Sequence, residues 1–276
     1  MTVQSDPAGF SVREFARTAQ GSLRAELDLA AYADLPLPDE TVAIVELLSR
    51  LEHGALAYLR SVLVTPTHKD ARVTAFLVTW AYEKHWVADA LELIAAAHPG
   101  HTAFVEPPAM NVAARLRRAR HAVAERIEPI TESVVANLIG EDVVAVHMAA
   151  AAVDEWVSEA AYERLAEGST HTEFTRTLTR LLDVKRRHQE FFATEADVRL
   201  SASAKAGRLA RRRLSRMTWP LASGGEPPAL LARLLGGVVP ASDLAAIDGR
   251  IDALPGLEGL DLVTRSATRT WKAAAR

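Results

Sequence analysis

The chain has 276 residues, of which 49% are hydrophobic and 24% charged, so it can bury a sizeable core and global disorder is not expected. A net charge of -3 and an isoelectric point near 6.3 give no general affinity for nucleic acid, and the lack of cysteine excludes disulfides, thiolate metal sites and cysteine nucleophiles. We find no secretory signal pattern and no apolar run of about 18 residues, so we expect a cytoplasmic protein without a membrane span.

Helix-favouring residues dominate the chain, and no segment alternates apolar with polar residues, so we predict an all-α protein. Long helices are predicted at 11–33, 39–63, 70–98, 111–138, 141–167, 170–200 and 205–217, between prolines and glycines. Short apolar pieces follow at 229–235, 242–254 and 257–271. Thr170 and Glu173 are spaced like a capping box at the start of the helix that ends near residue 200.

The character of the chain changes near residue 200. A basic amphipathic segment at 205–217 is followed by a glycine- and proline-rich linker at 223–228 and by the short apolar pieces. We therefore predict two parts: residues 1–200 form a helical bundle with an extra N-terminal helix, and residues 201–276 form a basic helix plus a helical extension packed on that bundle.

Four of the long helices carry charged or histidine residues within an otherwise apolar stripe. The first carries Glu52, the second carries Glu83, Lys84 and His85, and the third carries Glu155 and Glu159. Lys185 and His188 lie three residues apart on the fourth, and therefore share one face of it. Because an unpaired charge is costly to bury, we expect polar groups that face the core to meet one another.

These four helices resemble the core of the acyl-carrier-protein desaturase branch of the ferritin-like superfamily. Residues 76–91, with Trp80 three positions before Glu83-Lys84, are similar to the second core helix of that family. Residues 155–165 are similar to the third and residues 183–192 to the fourth, and the likeness covers about residues 40–200. It implies a ferritin-like four-helix bundle and an oxidoreductase ancestry, and it favours a homodimer.

The resemblance also identifies the positions that would ligate two irons. In that family, two helices each supply one glutamate and the other two each supply a Glu-x-x-His pair. Lys84, Val87 and Lys185 stand where the family has glutamate, histidine and glutamate. The ligand-type residues that remain at matching positions are Glu52, Glu155 and His188.

The two lysines that replace ligand glutamates account for the positive charge that two metal ions would supply. Four carboxylates balance two divalent ions, and changing two of them to lysine adds the charge that the ions would supply. An ammonium group has no lone pair and cannot ligate a metal. We therefore predict no metal at the usual site and no cofactor, but a buried ion-pair cluster formed by Glu52, Lys84, Glu155, Lys185 and His188.

Two functions follow from this reasoning, and catalytic residues are not assigned. The first is a non-redox protein that binds an apolar small molecule or an acyl group, with an acyl-carrier protein as a candidate partner. The alternative is an oxidoreductase that uses iron or manganese at a displaced or single-metal site built from Glu52, Glu83, Glu155, Glu159 and His188. A Schiff base on either lysine is disfavoured, because pairing with glutamate keeps an amine charged.

Several other polar residues are expected to be structural. Glu83 and His85 flank Lys84, and since all three cannot face one way, we predict that both are solvated. His147 is expected to pack within its helix rather than bind metal. The arginines at 115–120 and 208–216 are expected on solvated faces, with an acidic carrier protein, phosphate or a membrane surface as the alternative.

Overall fold

The computed structural model describes residues 9–99 and 140–275. Within these ranges the secondary structure is helical without a strand, and one isolated bridge joins Leu235 to Val239. The predicted all-α class is thus confirmed for this part of the chain. None of the helices in it has the length and apolar character needed to span a membrane. The helix predicted at 111–138, with its arginines, lies outside the described residues.

The helix boundaries differ from the predicted ones mainly before residue 64. In chain order the helices are α1 Val12–Arg17, α2 Leu29–Asp34, α3 Asp39–His53, α4 Ala55–Leu63, α5 Ala71–Ala96, α6 Asp142–Gly168, α7 Thr172–Ala202, α8 Ala204–Leu214, α9 Pro228–Leu234, α10 Ala241–Asp252 and α11 Leu262–Ala274. Short 3₁₀ turns lie at Pro66–Lys69 and Ser223–Gly225.

The long helices α3, α5, α6 and α7 form two antiparallel pairs that share one apolar core. In the first pair, the hydroxyl of Ser49 on α3 donates to the carbonyl of Ala88 on α5 over 3.0 Å. Helices α6 and α7 are joined by a tight turn and pack along their length. The two pairs meet where the ring of Phe76 stacks on that of Phe191, with centroids 3.7 Å apart. These helices position the charged residues described below.

The prediction of one helix over 11–33 was wrong. Helix α1 ends at Arg17, and α2 begins only at Leu29. The intervening segment is tied to α5 instead, because the backbone amide of Gln20 donates to a carboxylate oxygen of Glu83 over 2.6 Å. A tertiary contact has therefore overridden the local preference for helix.

The prediction of one helix over 39–63 was also wrong, because the helix is interrupted at Gly54. Residues 215–227 connect α8 to α9 and are called the linker below, and this linker passes close to Gly54. A Cβ atom added to Gly54 would lie 2.3 Å from the Cβ of Ala222, so a larger residue does not fit there. Ala222 itself has a left-handed backbone with φ of 62°. Gly54 is thus required by a contact with a residue far away in the sequence.

The predicted capping box at the start of α7 does not form. The cap is His171, whose Nδ1 accepts a hydrogen bond from the amide of Phe174 over 3.1 Å. Glu173 instead accepts from the guanidinium of Arg176 over 2.7 Å. The cap thus lies one residue later than predicted, and a histidine nitrogen, rather than the hydroxyl of Thr170, satisfies an orphan amide of the first turn.

The C-terminal helices pack on the bundle and on one another. Helix α8 contacts α6 and α7, α9 contacts α3 and α11, and α10 contacts both α6 and α11. Polar contacts accompany this packing: the guanidinium of Arg164 on α6 donates to both carboxylate oxygens of Asp243, over 2.5 and 2.8 Å. Arg50 on α3 donates to Glu226 in the linker over 2.9 Å. These ion pairs are partly open to solvent.

Candidate functional site: a buried ion-pair cluster

Two carboxylates and two ammonium groups meet at the centre of the four long helices. Glu52 comes from the last turn of α3, and Lys84, Glu155 and Lys185 come from the middle of α5, α6 and α7. Each of the four is at most 2% exposed. Every long helix thus contributes one of these four side chains. We call these four residues the ion-pair cluster.

The carboxylate of Glu52 receives contacts on both oxygens. Its Oε1 lies 2.8 Å from the ammonium of Lys185, and the ammonium of Lys84 pairs with Oε2. The hydroxyls of Tyr162 and Ser158 also donate to Oε1, over 2.8 and 3.0 Å. Burying this charge is therefore compensated by two cations and two neutral donors.

The carboxylate of Glu155 has a similar arrangement. The ammonium of Lys185 lies 2.6 Å from Oε2, and that of Lys84 lies 3.4 Å from Oε1. The indole N–H of Trp80 donates to Oε1 over 2.7 Å. Each ammonium group therefore lies between the same two carboxylates, and the four charges sum to zero.

The pairing fixes the ionisation of the cluster. Burial alone would raise the pKa of Glu52, but the charges of Lys185 and Lys84 outweigh it and lower this pKa to about 2. The same lysines hold the pKa of Glu155 well below its usual range against the effect of burial. Burial would lower the pKa of Lys84, but the charges of Glu155 and Glu52 raise it. The two carboxylates and Lys84 are therefore charged near neutral pH.

Glu83 forms a second buried ion pair, so the prediction that it is solvated was wrong. One of its carboxylate oxygens accepts from the guanidinium of Arg187 over 2.5 Å, and the other accepts from Nε2 of His188 over 2.7 Å. A sequence signal existed: Glu83 follows Phe76 by two helical turns and so continues its buried stripe. His85 is exposed, as predicted.

His188 connects the two groups of charges. Its Nε2 contacts Glu83, while its Nδ1 lies 3.7 Å from Oε1 of Glu155 and has no hydrogen-bond partner among the described residues. The ring is fully buried and lies edge-on to Phe15 and Trp80. The imidazole therefore separates the Glu83 pair from the ion-pair cluster, and its orientation is fixed by Glu83.

The arrangement is poorly suited to holding a metal ion between Glu52 and Glu155. Both carboxylates point at ammonium groups, and an ammonium group repels a cation and offers it no lone pair. No group of three or more ligand-type side chains suited to a metal occurs within residues 9–99 and 140–275. Glu159 lies away from the cluster, where it accepts from Arg250 over 3.1 Å.

The centre of the bundle is closely packed, and hollows large enough for a small molecule lie at its sides. A space of about 10 Å³ adjoins Glu52 and Lys84. A cleft of about 250 Å³ opens between α4, α6, α8 and the linker that follows α8, and its lining includes His147. The structure therefore offers room for a small organic molecule beside the bundle rather than along its centre.

Comparison of the chain with protein-family models, with curated proteins and with solved structures finds no match. The ferritin-like resemblance therefore remains a prediction from the order of the motifs in the sequence. The function is inferred from the chemistry of these residues.

Proposed function

We propose that this protein is a metal-free relative of ferritin-like di-iron desaturases, and that it binds an apolar small molecule or an acyl group without redox chemistry. One observation carries the proposal: the ammonium groups of Lys84 and Lys185 lie between Glu52 and Glu155 and contact both of them. These are the positions at which the resemblance would have carboxylates holding two metal ions.

The electrostatic argument for this proposal is direct. Two buried carboxylates close together repel one another and require positive charge nearby. The two lysines supply that charge as part of the polypeptide, so the bundle does not depend on metal uptake. A divalent ion placed at the same point would meet two cations and would have to displace both. The lysines therefore stabilise the bundle and oppose metal binding at once.

The ligand-binding part of the proposal is supported by the cleft. It lies outside the ion-pair cluster and shares none of that cluster's residues. Its described lining combines apolar side chains such as Leu209 and Met217 with a few hydroxyls, which is typical of a small-molecule site. A bundle that no longer carries out oxidation can retain such a site as a binding protein.

A second candidate function is favoured by the Glu83–His188 pair. A buried carboxylate contacts an imidazole there, and Glu155 lies 3.7 Å from the other ring nitrogen. Rotation of Arg187 away from Glu83 would leave a carboxylate and a histidine that suit iron or manganese. In that case the protein would be a metal-dependent oxidoreductase with a displaced site.

Metal analysis distinguishes the two candidates. The full chain is produced in cells supplied with iron and manganese, purified without chelator, and analysed by inductively coupled plasma mass spectrometry. We expect far less than one metal ion per chain. One or two ions per chain, lost in the His188→Gln variant, would support the displaced site and contradict the metal-free proposal.

A variant that restores the family's ligands provides the positive control. Lys84→Glu, Val87→His and Lys185→Glu together create a Glu-x-x-His pair on α5 and another on α7. We expect this triple variant to bind iron where the wild type does not. The matched control, Lys84→Gln with Lys185→Gln, removes the same cations without adding carboxylates and is expected to bind little metal.

Native mass spectrometry of the freshly purified protein tests the binding part. We expect a co-purifying small organic molecule that is released on denaturation. Complete absence of a bound species, combined with failure of the purified chain to bind alkyl probes, would contradict a binding function.

A further inference from the structure

The lining of the cleft beside the bundle combines apolar and polar side chains. The apolar side chains include Leu209 of α8 and Met217 and Leu221 of the linker. Met217 is unbranched and adapts to different ligand shapes. Arg213 and His147 lie on the same cleft, so that charge and hydrogen-bonding capacity adjoin the apolar surface. This combination is typical of a site for an amphiphilic molecule.

His147 is held in place by its neighbours. Its Nδ1 lies 3.0 Å from the hydroxyl of Thr67, and its backbone carbonyl accepts from the hydroxyl of Tyr58 over 2.7 Å. Burial, with a smaller contribution from the charge of Arg213, lowers the pKa of His147 to about 4. The imidazole is therefore neutral near pH 7 and offers a hydrogen bond rather than a second positive charge.

Arg213 gives the cleft its charge. It is the only cationic side chain among the described residues that line the cleft, since His147 is neutral. A guanidinium carries five N–H donors in a planar fork that matches a carboxylate. With five donors, the guanidinium of Arg213 can bind a ligand with some N–H groups and contact the protein with others. A single guanidinium in a small cleft suits a monoanion better than a polyphosphate, which gathers several cations.

We propose that this cleft binds a small carboxylic acid with an alkyl chain, its carboxylate on Arg213 and its chain against Leu209 and Met217. This names the ligand class of the proposed function and rests on it. His147, fixed by Thr67, lines the same cleft and can add a hydrogen bond to the acid. Because the imidazole is already ordered, little conformational entropy is lost there when the acid binds.

Isothermal titration calorimetry of the full chain with octanoate and its neutral analogue octanamide tests the proposal. We expect octanoate to bind more tightly than octanamide to the wild type. Arg213→Met should weaken the affinity for octanoate by about 10- to 100-fold, because a charge-assisted hydrogen-bonded pair is lost. The affinity for octanamide should be nearly unchanged. Arg213→Lys should retain part of the affinity.

Two further variants separate a local effect from a general one. Arg212→Met removes a neighbouring exposed arginine of α8 that does not line the cleft, and we expect it to bind octanoate like the wild type. Leu209→Trp fills part of the cleft and should weaken the binding of both probes. Thermal unfolding of each variant shows whether it is folded at the titration temperature.

The outcomes distinguish this inference from the proposed function. If octanoate and octanamide bind equally and Arg213→Met changes neither, the acid-specific inference is wrong while the binding function stands. If Arg212→Met weakens octanoate as much as Arg213→Met, the effect is general surface charge and the inference is again wrong. If neither probe binds the folded wild type, the cleft is not an alkyl site and the proposed function loses its support as well.

Discussion

The ion-pair cluster in the bundle and the ion pairs that join the C-terminal helices to it have similar distances but different surroundings. Lys185 lies 2.8 Å from Glu52 at the centre, and Arg164 lies 2.5 Å from Asp243 at the edge. The side chains of the central pair are almost fully buried, whereas that of Arg164 is 42% exposed. The difference between the two regions is therefore the access of water.

This comparison shows why ion pairs with similar contact distances differ in how much stability is lost when one partner is removed. At the edge, water solvates a charge that loses its partner, so the pair contributes at most about 1 kcal/mol. At the centre no water replaces the partner, and the remaining charge is left buried. A buried ion pair adds little net stability over an apolar core, but it makes the fold dependent on every member.

The largest effect is expected from Lys185→Met, which leaves Glu52 and Glu155 facing each other with one cation between them. Breaking a buried pair in this way should lower the free energy of unfolding by about 3–5 kcal/mol. Urea denaturation followed by circular dichroism measures it. A loss as small as that of a surface pair would show that the cluster is hydrated and would remove the contrast between the regions.

The next largest effect is expected from low pH, which should lower the free energy of unfolding by protonating the cluster. The pKa of Glu52 is lowered to about 2 in the folded protein, below its ordinary value, so its contribution is present above about pH 4.5 and is lost as pH falls towards 2. The shift corresponds to about 3 kcal/mol. Urea titrations from pH 6 to 2.5, compared with Glu52→Gln, check this: the variant should show a shallower decline. Equal slopes would contradict it.

The coupling between Lys185 and Glu155 is expected to be smaller, but it tests their pairing directly. Glu155→Gln keeps an oxygen that accepts from Trp80 while removing the charge. Combined with Lys185→Met, it should restore about 1–3 kcal/mol of the stability lost in Lys185→Met alone. A double-mutant cycle in urea measures this coupling. Strictly additive losses would mean that the two groups do not depend on each other.

The smallest effect is expected at the edge. Arg164→Met removes the contacts with Asp243 and should cost no more than about 1 kcal/mol, because both side chains remain near solvent. The same urea measurement applies, and the cost should fall further at high salt. A loss comparable with that of Lys185→Met would show that the attachment of α10 is as sensitive as the core.

Sequence patterns predicted the long helices and the residues of the cluster because each charge interrupts an apolar stripe. Lys84 and Lys185 were placed in the core by the apolar stripes together with the resemblance to the family's iron-ligand positions. The spacing of Glu83 from Phe76 indicates burial as well, but its partners could not be predicted. Arg187 and the backbone of Gln20 come from distant parts of the chain, and Gln20 lies in a segment that was predicted as helix.

Other features depend on contacts between residues that are distant in the sequence. The break at Gly54 is set by Ala222, which only the folded linker brings near. The cleft exists because that linker crosses α4 and α6, where the amide of Leu221 donates to Asp154 over 2.6 Å. No local pattern encodes either contact. The predicted division at residues 200 and 201 and the expected homodimer remain predictions.

The central claim is that two ammonium groups occupy the place of metal ions between Glu52 and Glu155. Crystals of protein produced with iron and manganese, measured at wavelengths on either side of both absorption edges, test it most directly. We predict that Lys84 and Lys185 lie between the two carboxylates and that no anomalous peak occurs there. An anomalous peak within coordination distance of Glu52 and Glu155, with the lysines turned away, would contradict the claim.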